Sequence, residues 1–160
     1  MPWTTPETFT AGQTLTAASM NVISGNLDAL ARGVMDYSIK TSNQTGFNGT
    51  PADVTGLDVS WTAESDRLYR VSLHLGKLTQ NTNSAYVYAA ITDAANNNKA
   101  WFETLLAPAY TATVNTSLIV TGLSGSVTYK ARVYNNNATT DLTANGNQPS
   151  YILAEDIGPA

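Results

Sequence analysis

The sequence contains no cysteine, one histidine and few charged residues. Without cysteine, the chain has no disulfide, no thiolate metal site and no cysteine nucleophile, and its fold is independent of redox compartment. Charged residues make up 12% of the chain, about half of the usual ~25% in soluble domains. Instead, 23 threonines and 15 asparagines provide polar groups that keep the surface hydrated. This composition favours strands and turns over helices.

Positive charge and long apolar runs are also scarce. The formal net charge is −4, and the eight Lys and Arg residues are scattered singly, which argues against a nucleic-acid partner. No run approaches the ~18 apolar residues of a membrane span. The first ten residues lack the basic start and apolar region of a signal peptide. We therefore expect synthesis in a cytoplasm, no export by that route and no membrane partner.

Residues for catalysis or metal binding are few. The only histidine, His74, lies on the polar face of a predicted strand, so a hydrolytic triad lacks its base. Asp93 precedes three asparagines, but one carboxylate carries too little charge for calcium and the segment is typical of a turn. Glu155 and Asp156 are sequence neighbours in a strand and face opposite sides of it, unlike a glycosidase pair. We expect no catalytic, cofactor or metal site, and therefore not an enzyme.

Residues 1–15 have neither helical nor alternating periodicity. Prolines and large apolar residues stand among threonines and predict an extended arm that lies on another surface. The candidate docking residues are Trp3, Pro6, Phe9 and Leu15.

Residues 16–36 predict a helix that starts at Thr16 as N-cap. Apolar residues recur at alternating spacings of three and four, which is a short heptad seam. The seam residues are Met20, Ile23, Leu27, Leu30 and Val34. Gly25 and Gly33 each cost about 1 kcal/mol relative to Ala, so the helix needs partners. Two alternatives stay open, a short trimeric coiled coil and packing on the chain's own body.

Residues 37–160 predict an all-β domain. Tyr69, Val71, Leu73 and Leu75 alternate with polar residues, and asparagine-rich turns separate similar segments. The expected strands are 57–62, 67–75, 85–92, 99–106, 114–121, 126–134 and 151–157. About eight antiparallel strands favour a β-sandwich or jelly roll. Whether 34–42 continues the helix or forms the first strand is open, because Met35 and Ile39 have helical spacing while Tyr37, Ile39 and Thr41 alternate.

Three tyrosines, Tyr86, Tyr88 and Tyr134, fall on outward faces of the predicted strands. Such aromatics suit a trimer interface, because the ring is buried while the hydroxyl finds a partner. They equally suit a patch that stacks on sugars or binds protein. The sequence leaves both interpretations open.

The run from Trp3 to Asn21 resembles the opening of small virion structural proteins of tailed bacteriophages. It carries the pattern W-T-x-P-x-T-F-x-x-G-x-x-L-T-A-A-x-M-N. The ending from Ile152 to Pro159 is similar to the closing strand of such proteins, and the β-domain looks like a trimeric jelly roll of the tumour-necrosis-factor kind. Members of this group are capsid decoration, head-fibre or minor tail proteins, so the resemblance implies a place in the virion.

The resemblance implies a homotrimer whose partner is the phage major capsid protein. The arm would dock on the shell, the helix would gather three chains, and the β-domain would face solvent. The alternative is a tail-associated module, with tail proteins and a host surface glycan as partners. These two functions differ in what the β-domain does.

Overall fold

The computed structural model describes residues 16–18, 20–22, 30 and 32–160. Residues 17, 18 and 20–22 are helical, and the Met20 amide donates to the Thr16 carbonyl at 3.0 Å. The strands of the described part are β1 (Gly33–Lys40), β2 (Gln44–Phe47), β3 (Ala52–Ala63), β4 (Arg67–Gln80), β5 (Ala85–Asp93), β6 (Asn98–Leu106), β7 (Thr111–Val120), β8 (Gly125–Asn135), β9 (Thr140–Thr143) and β10 (Ser150–Pro159).

The strands form two antiparallel sheets packed as a β-sandwich of the jelly-roll kind. The first sheet has six strands in the order β1-β10-β4-β9-β2, and β7 pairs with the other edge of β4. The second has four strands in the order β3-β8-β5-β6. The 14-residue strand β4 is long enough to pair with β10 along its first half and with β9 at its end. The expected mainly β sandwich is thus confirmed.

Alternation along the strands determines what the sandwich buries. Tyr69, Val71, Leu73 and Leu75 of β4 all point into the core, as the sequence predicts. In β5 and β8 the expected inward residues also form the core, and polar or aromatic residues lie outside. Trp61 of β3 stacks on the ring of Tyr129 at 5.7 Å and tilts against Tyr69 at 5.4 Å, which ties the two sheets together. Aromatic pairs of this kind stabilise a core beyond their buried area.

Arg67 and Asp156 form a buried ion pair between β4 and β10. Arg67 Nε donates to Asp156 Oδ2 at 2.8 Å and Nη2 donates to Oδ1 at 2.6 Å. Arg67 also donates to the Leu30 carbonyl at 2.5 Å, while the Gly158 amide donates to Asp156. These bonds satisfy the two charges inside the fold. They also attach the chain before β1 to the sandwich.

A buried amide cluster joins the two sheets at one end. Asn135 of β8 donates to Gln80 of β4 and Thr140 of β9, both at 2.7 Å. The side-chain oxygen Oδ1 of Asn135 accepts from the backbone amides of Asn137 and Ala138 and so shapes the following turn. Because each of these groups has partners, the cluster fixes this end without an unsatisfied buried amide.

The structure extends one prediction and corrects another. The described part of the chain has ten strands, in line with the approximately eight expected: β1 is the strand that the sequence left open over 34–42, and β2 and β9 are additional. The helix expected over 16–36 is too long, since β1 begins at Gly33 and places Val34 on a strand. The boundary between helix and β-domain, predicted at residue 37, therefore lies before Gly33. Pairing of Val34 with Glu155 and of Asp36 with Ala154 leaves a bulge at Met35, which breaks the alternation of β1.

Candidate functional site

The outer face of the second sheet carries a cleft over three of its four strands, β8, β5 and β6. The register places Ala90 between Arg132 of β8 and Trp101 of β6. One row along, Tyr88 lies between Tyr134 and Glu103. Ala90 is only 8% exposed, whereas Trp101 is 65% exposed. The small side chain in the middle, surrounded by large ones, forms the floor of the cleft.

The cleft has a volume of about 380 Å³ and a mixed lining. Its residues are Pro51, Tyr88, Ala90, Asn98, Trp101, Glu103, Arg132, Val133 and Tyr134. Tyr88 and Tyr134 stack at 4.7 Å with 23° between their planes, so each covers one face of the other ring. Aromatic surface with a few polar groups around it is typical of small-molecule sites.

Charges at the cleft are largely compensated. Asp53 forms an ion pair with Arg132, with 2.8 Å between Oδ1 and Nε, and accepts a hydrogen bond from Lys130 at 3.0 Å. Arg132 donates to the Pro51 carbonyl at 2.6 Å. On the other side, desolvation and the neighbouring negative charge of Glu103 raise the pKa of Tyr88. The cleft therefore offers hydrogen-bonding groups without a strong positive charge.

The outer face of the first sheet differs, because its edge along β1 is apolar. Tyr37 and Ile39 of β1 are 62% and 54% exposed. They pair across to Leu153 and Tyr151 of β10. Ile119 of β7 is a further exposed aliphatic residue on this face, but the pair of Arg70 and Glu155 separates it from the β1 edge. The exposed apolar residues along β1 and β10 are typical of an interaction site.

The β1 strand turns its polar residues inward, towards β3 of the other sheet. The Ser60 amide donates to Asp36 at 2.7 Å, Ser38 donates to the Asp58 carbonyl at 2.6 Å and Lys40 donates to the Thr55 carbonyl at 3.1 Å. Because side chains alternate along a strand, these contacts force the apolar residues of β1 outward. The exposure of this apolar edge is thus built into the register.

Polar residues continue the outer face of the first sheet beyond β10. The ring of His74 stacks on Tyr151 at 5.0 Å, and its Nδ1 lies 2.8 Å from Asn115 Oδ1. These two contacts account for His74 as the surface residue that its strand pattern predicts. Arg70 binds Glu155 on the same face, whereas Asp156 points into the core, so the two carboxylates lie on opposite sides of β10 as expected.

The predicted site residues lie in three different settings. The arm residues Trp3, Pro6, Phe9 and Leu15, and the seam residues Ile23 and Leu27, lie outside the described residues. Met20 lies in the helical segment and is exposed, and Leu30 is exposed next to the ion pair of Arg67. Val34 is exposed on β1. Tyr88 and Tyr134 line the cleft, and Tyr86 lies beside them, 6.4 Å from Tyr88.

The sequence interpretation missed several residues of both faces. Trp101 lies in a predicted strand, but only the register shows that it faces Arg132 across Ala90. Tyr37 and Ile39 were noted for their alternation, and the direction of their face was not predicted. The sequence signal for Trp101 was alternation, which places it on the face of β6 opposite Ala100 and Phe102.

Within the described residues, no three His, Asp or Glu side chains cluster in a way that could hold a metal ion. Asp93 accepts from the amides of Ala95 and Asn97 and from the Asn97 side chain, as in the expected turn. In the same part of the chain, no helix is long and apolar enough to cross a membrane.

Comparison with known proteins finds similarity among solved structures only. No family model and no curated protein matches the chain. The globular domain of a zebrafish complement 1qA protein is 8% identical, with 79% of this chain and 97% of that one covered and a TM-score of 0.45. A chain from Bacillus endospore appendages, described as a family of disulfide-linked pili, is 11% identical over 79% and 90% of the two chains, with a TM-score of 0.36. At these values the similarities say nothing about ligands or partners.

Proposed function

We propose that this chain is a homotrimeric structural protein of a tailed-bacteriophage virion, a capsid decoration or head-fibre protein without enzymatic activity. The N-terminal resemblance, from Trp3 to Asn21, supports the place in the virion. The observation that carries the trimer is the apolar outer face of β1 and β10, which a lone chain leaves in water.

Further copies of this chain are the occupants that fit this face. The predicted heptad seam ends at Val34, which the structure places on β1. A coiled coil that gathers three chains therefore brings three β1 strands together. Each edge strand is then covered by a neighbouring copy, which removes the hazard of an exposed apolar edge. The weak helix gains from this arrangement, because the sandwiches hold its copies at high effective concentration.

Docking on the particle is assigned to the arm. One arm with Trp3 and Phe9 offers a small contact, but three arms that start from one trimer bind together with avidity. A symmetry axis of the shell built by the major capsid protein would meet this requirement. The Trp3→Ala variant is expected to lose attachment to particles while the free protein stays folded. Attachment equal to wild type would exclude the docking role.

Copy number in purified particles tests the proposal. Quantitative mass spectrometry compares this polypeptide with the major shell subunit. We expect hundreds of copies in simple ratio to the shell. Absence from the particle would refute the virion assignment.

A tail-mounted receptor-binding protein is the second candidate, and the cleft of the second sheet favours it. A β-domain that only decorates a shell has no need for a concave site lined by an exposed tryptophan. In this alternative the partners are tail proteins and a host surface glycan. A handful of copies per particle, together with binding of the purified protein to host cells, would decide for it.

A further inference from the structure

We infer that the cleft centred on Ala90 is a binding site for a neutral hexopyranose segment of an oligosaccharide. The inference concerns the β-domain and holds for a location on the capsid or on the tail. It rests on the second candidate function only in taking the host surface as the source of the glycan.

The small floor and the aromatic wall of the cleft match the C–H face of a pyranose ring. A sugar ring has a face of electropositive C–H groups that packs on the negative face of an aromatic ring. Trp101, at 65% exposure, offers such a face directly beside the Ala90 floor. A volume of about 380 Å³ falls at the lower end of small-ligand sites. The cleft thus has room for a short saccharide segment.

The rim supplies the hydrogen bonds that sugar hydroxyls need. Glu103 accepts, the Asn98 amide both donates and accepts, and the tyrosine hydroxyls do both. Tyr88, Glu103 and Tyr134 form one row on one side of Ala90, and Asn98 pairs with Thr92 on the other side, so both ends of the cleft carry polar groups. A wholly apolar ligand would leave them without partners, which costs binding energy.

The charges favour a neutral ligand over other classes. Asp53 and Glu103 together balance the formal charges of Arg132 and Lys130, so a phosphate or an acidic sugar meets no net positive charge and is repelled by Glu103. An aromatic cage for an organic cation needs ring faces turned towards the ligand. Tyr88 and Tyr134 instead cover each other. A protein partner needs roughly 800 Å² of surface per side, which a concave site of this size does not supply.

The test is a ligand-observed NMR titration of the purified full chain with maltotriose, cellotriose and triacetylchitotriose, and with choline as the cationic probe. We expect saturable binding of at least one saccharide and none of choline. Trp101→Ala removes the stacking surface, and Ala90→Leu fills the floor. Each is expected to weaken saccharide binding at least about tenfold, equivalent to 1.4 kcal/mol.

Leu105→Ala is the matched control, because Leu105 is an exposed residue on the same face of β6 and does not line the cleft. It is expected to bind as wild type. Circular dichroism confirms that each variant is folded. Failure of all three saccharides, a preference for choline, or unchanged binding by both cleft variants would overturn the inference. Such a failure leaves the copy number in particles untouched, so it is distinguishable from failure of the virion assignment.

Discussion

Buried polar side chains stabilise the sandwich through specific partners, and the ion pair of Arg67 and Asp156 is the clearest case. Both side chains are buried and joined by two hydrogen bonds. Removal of one partner leaves an uncompensated charge inside the fold, so Asp156→Ala is expected to lower the free energy of unfolding by about 3–5 kcal/mol. Chemical denaturation monitored by tryptophan fluorescence measures this change.

The neighbouring pair of Arg70 and Glu155 is the control, since it joins the same two strands on the exposed side. Arg70→Ala is expected to cost at most about 1 kcal/mol. The double variant Arg67→Met with Asp156→Leu is expected to be more stable than Asp156→Ala, because no charge is left unpaired. Equal losses for the buried and exposed pairs would contradict this account.

Asp93 gives the clearest pH dependence at the residue scale. Hydrogen bonds from the Asn97 side chain and amide, with the Lys99 ammonium nearby, hold the pKa of Asp93 well below its ordinary value. A carboxyl with a lowered folded pKa contributes stability above its unfolded value of about 3.9, and this contribution is lost as pH falls towards the folded pKa. We expect Asp93 to stay ionised under acidic conditions that protonate an ordinary aspartate.

Carboxyl NMR shifts followed from neutral to strongly acidic pH measure this pKa. Asn97→Ala removes the side-chain donor and is expected to raise the pKa of Asp93 towards its ordinary value. An Asp93 that titrates like a free aspartate in the wild-type chain would show that the turn does not hold its charge.

At the scale of elements, sequence periodicity predicted those strands that bury one face completely. The alternating run of β4 and the inward residues of β5 gave both the strand and its orientation. The two missed strands, β2 and β9, lack this signal because they have four residues each, too few for a period. The sequence left β1 open, and the bulge at Met35 interrupts its alternation. A local pattern carries no information about pairing, which is why the contacts of β1 with β3 were not predicted.

The candidate cleft was only partly predictable, because alternation shows which face a side chain lies on but not which strands are neighbours. The outward tyrosines of β5 and β8 followed from alternation. Their alignment with Trp101 and Glu103 depends on the register of three strands that are distant in sequence. No single segment carries that register, because loops and core packing set it together.

The exposed apolar residues of β1 lead to a prediction about association of the chains. Tyr37 and Ile39 each contribute about 1.5–3 kcal/mol if a neighbouring copy buries them. The double variant Tyr37→Lys with Ile39→Lys is therefore expected to raise the dissociation constant of the assembly more than about 100-fold. The single chain should stay folded, because both side chains point to solvent in it. Sedimentation velocity over a concentration series measures the effect.

Leu105→Lys is the control for that variant, since it places the same charge on the outer face of the second sheet. It is expected to associate as wild type. Loss of association in Leu105→Lys but not in the β1 variant would move the interface to the second sheet and to the tyrosines beside the cleft.

The whole molecule combines two unequal faces. The first sheet exposes an apolar edge, and the second exposes a polar and aromatic cleft. If three copies cover the first face as proposed, three clefts point away from the shared axis, and the proposed saccharide sites would bind a repetitive glycan with avidity. In the proposed virion protein, the arms and the clefts serve different partners.

Sedimentation equilibrium of the purified full chain at micromolar concentration tests the trimer most directly. The account predicts a single species with three times the 17.0 kDa mass of one chain. A folded monomer or a dimer across the concentration range would contradict it.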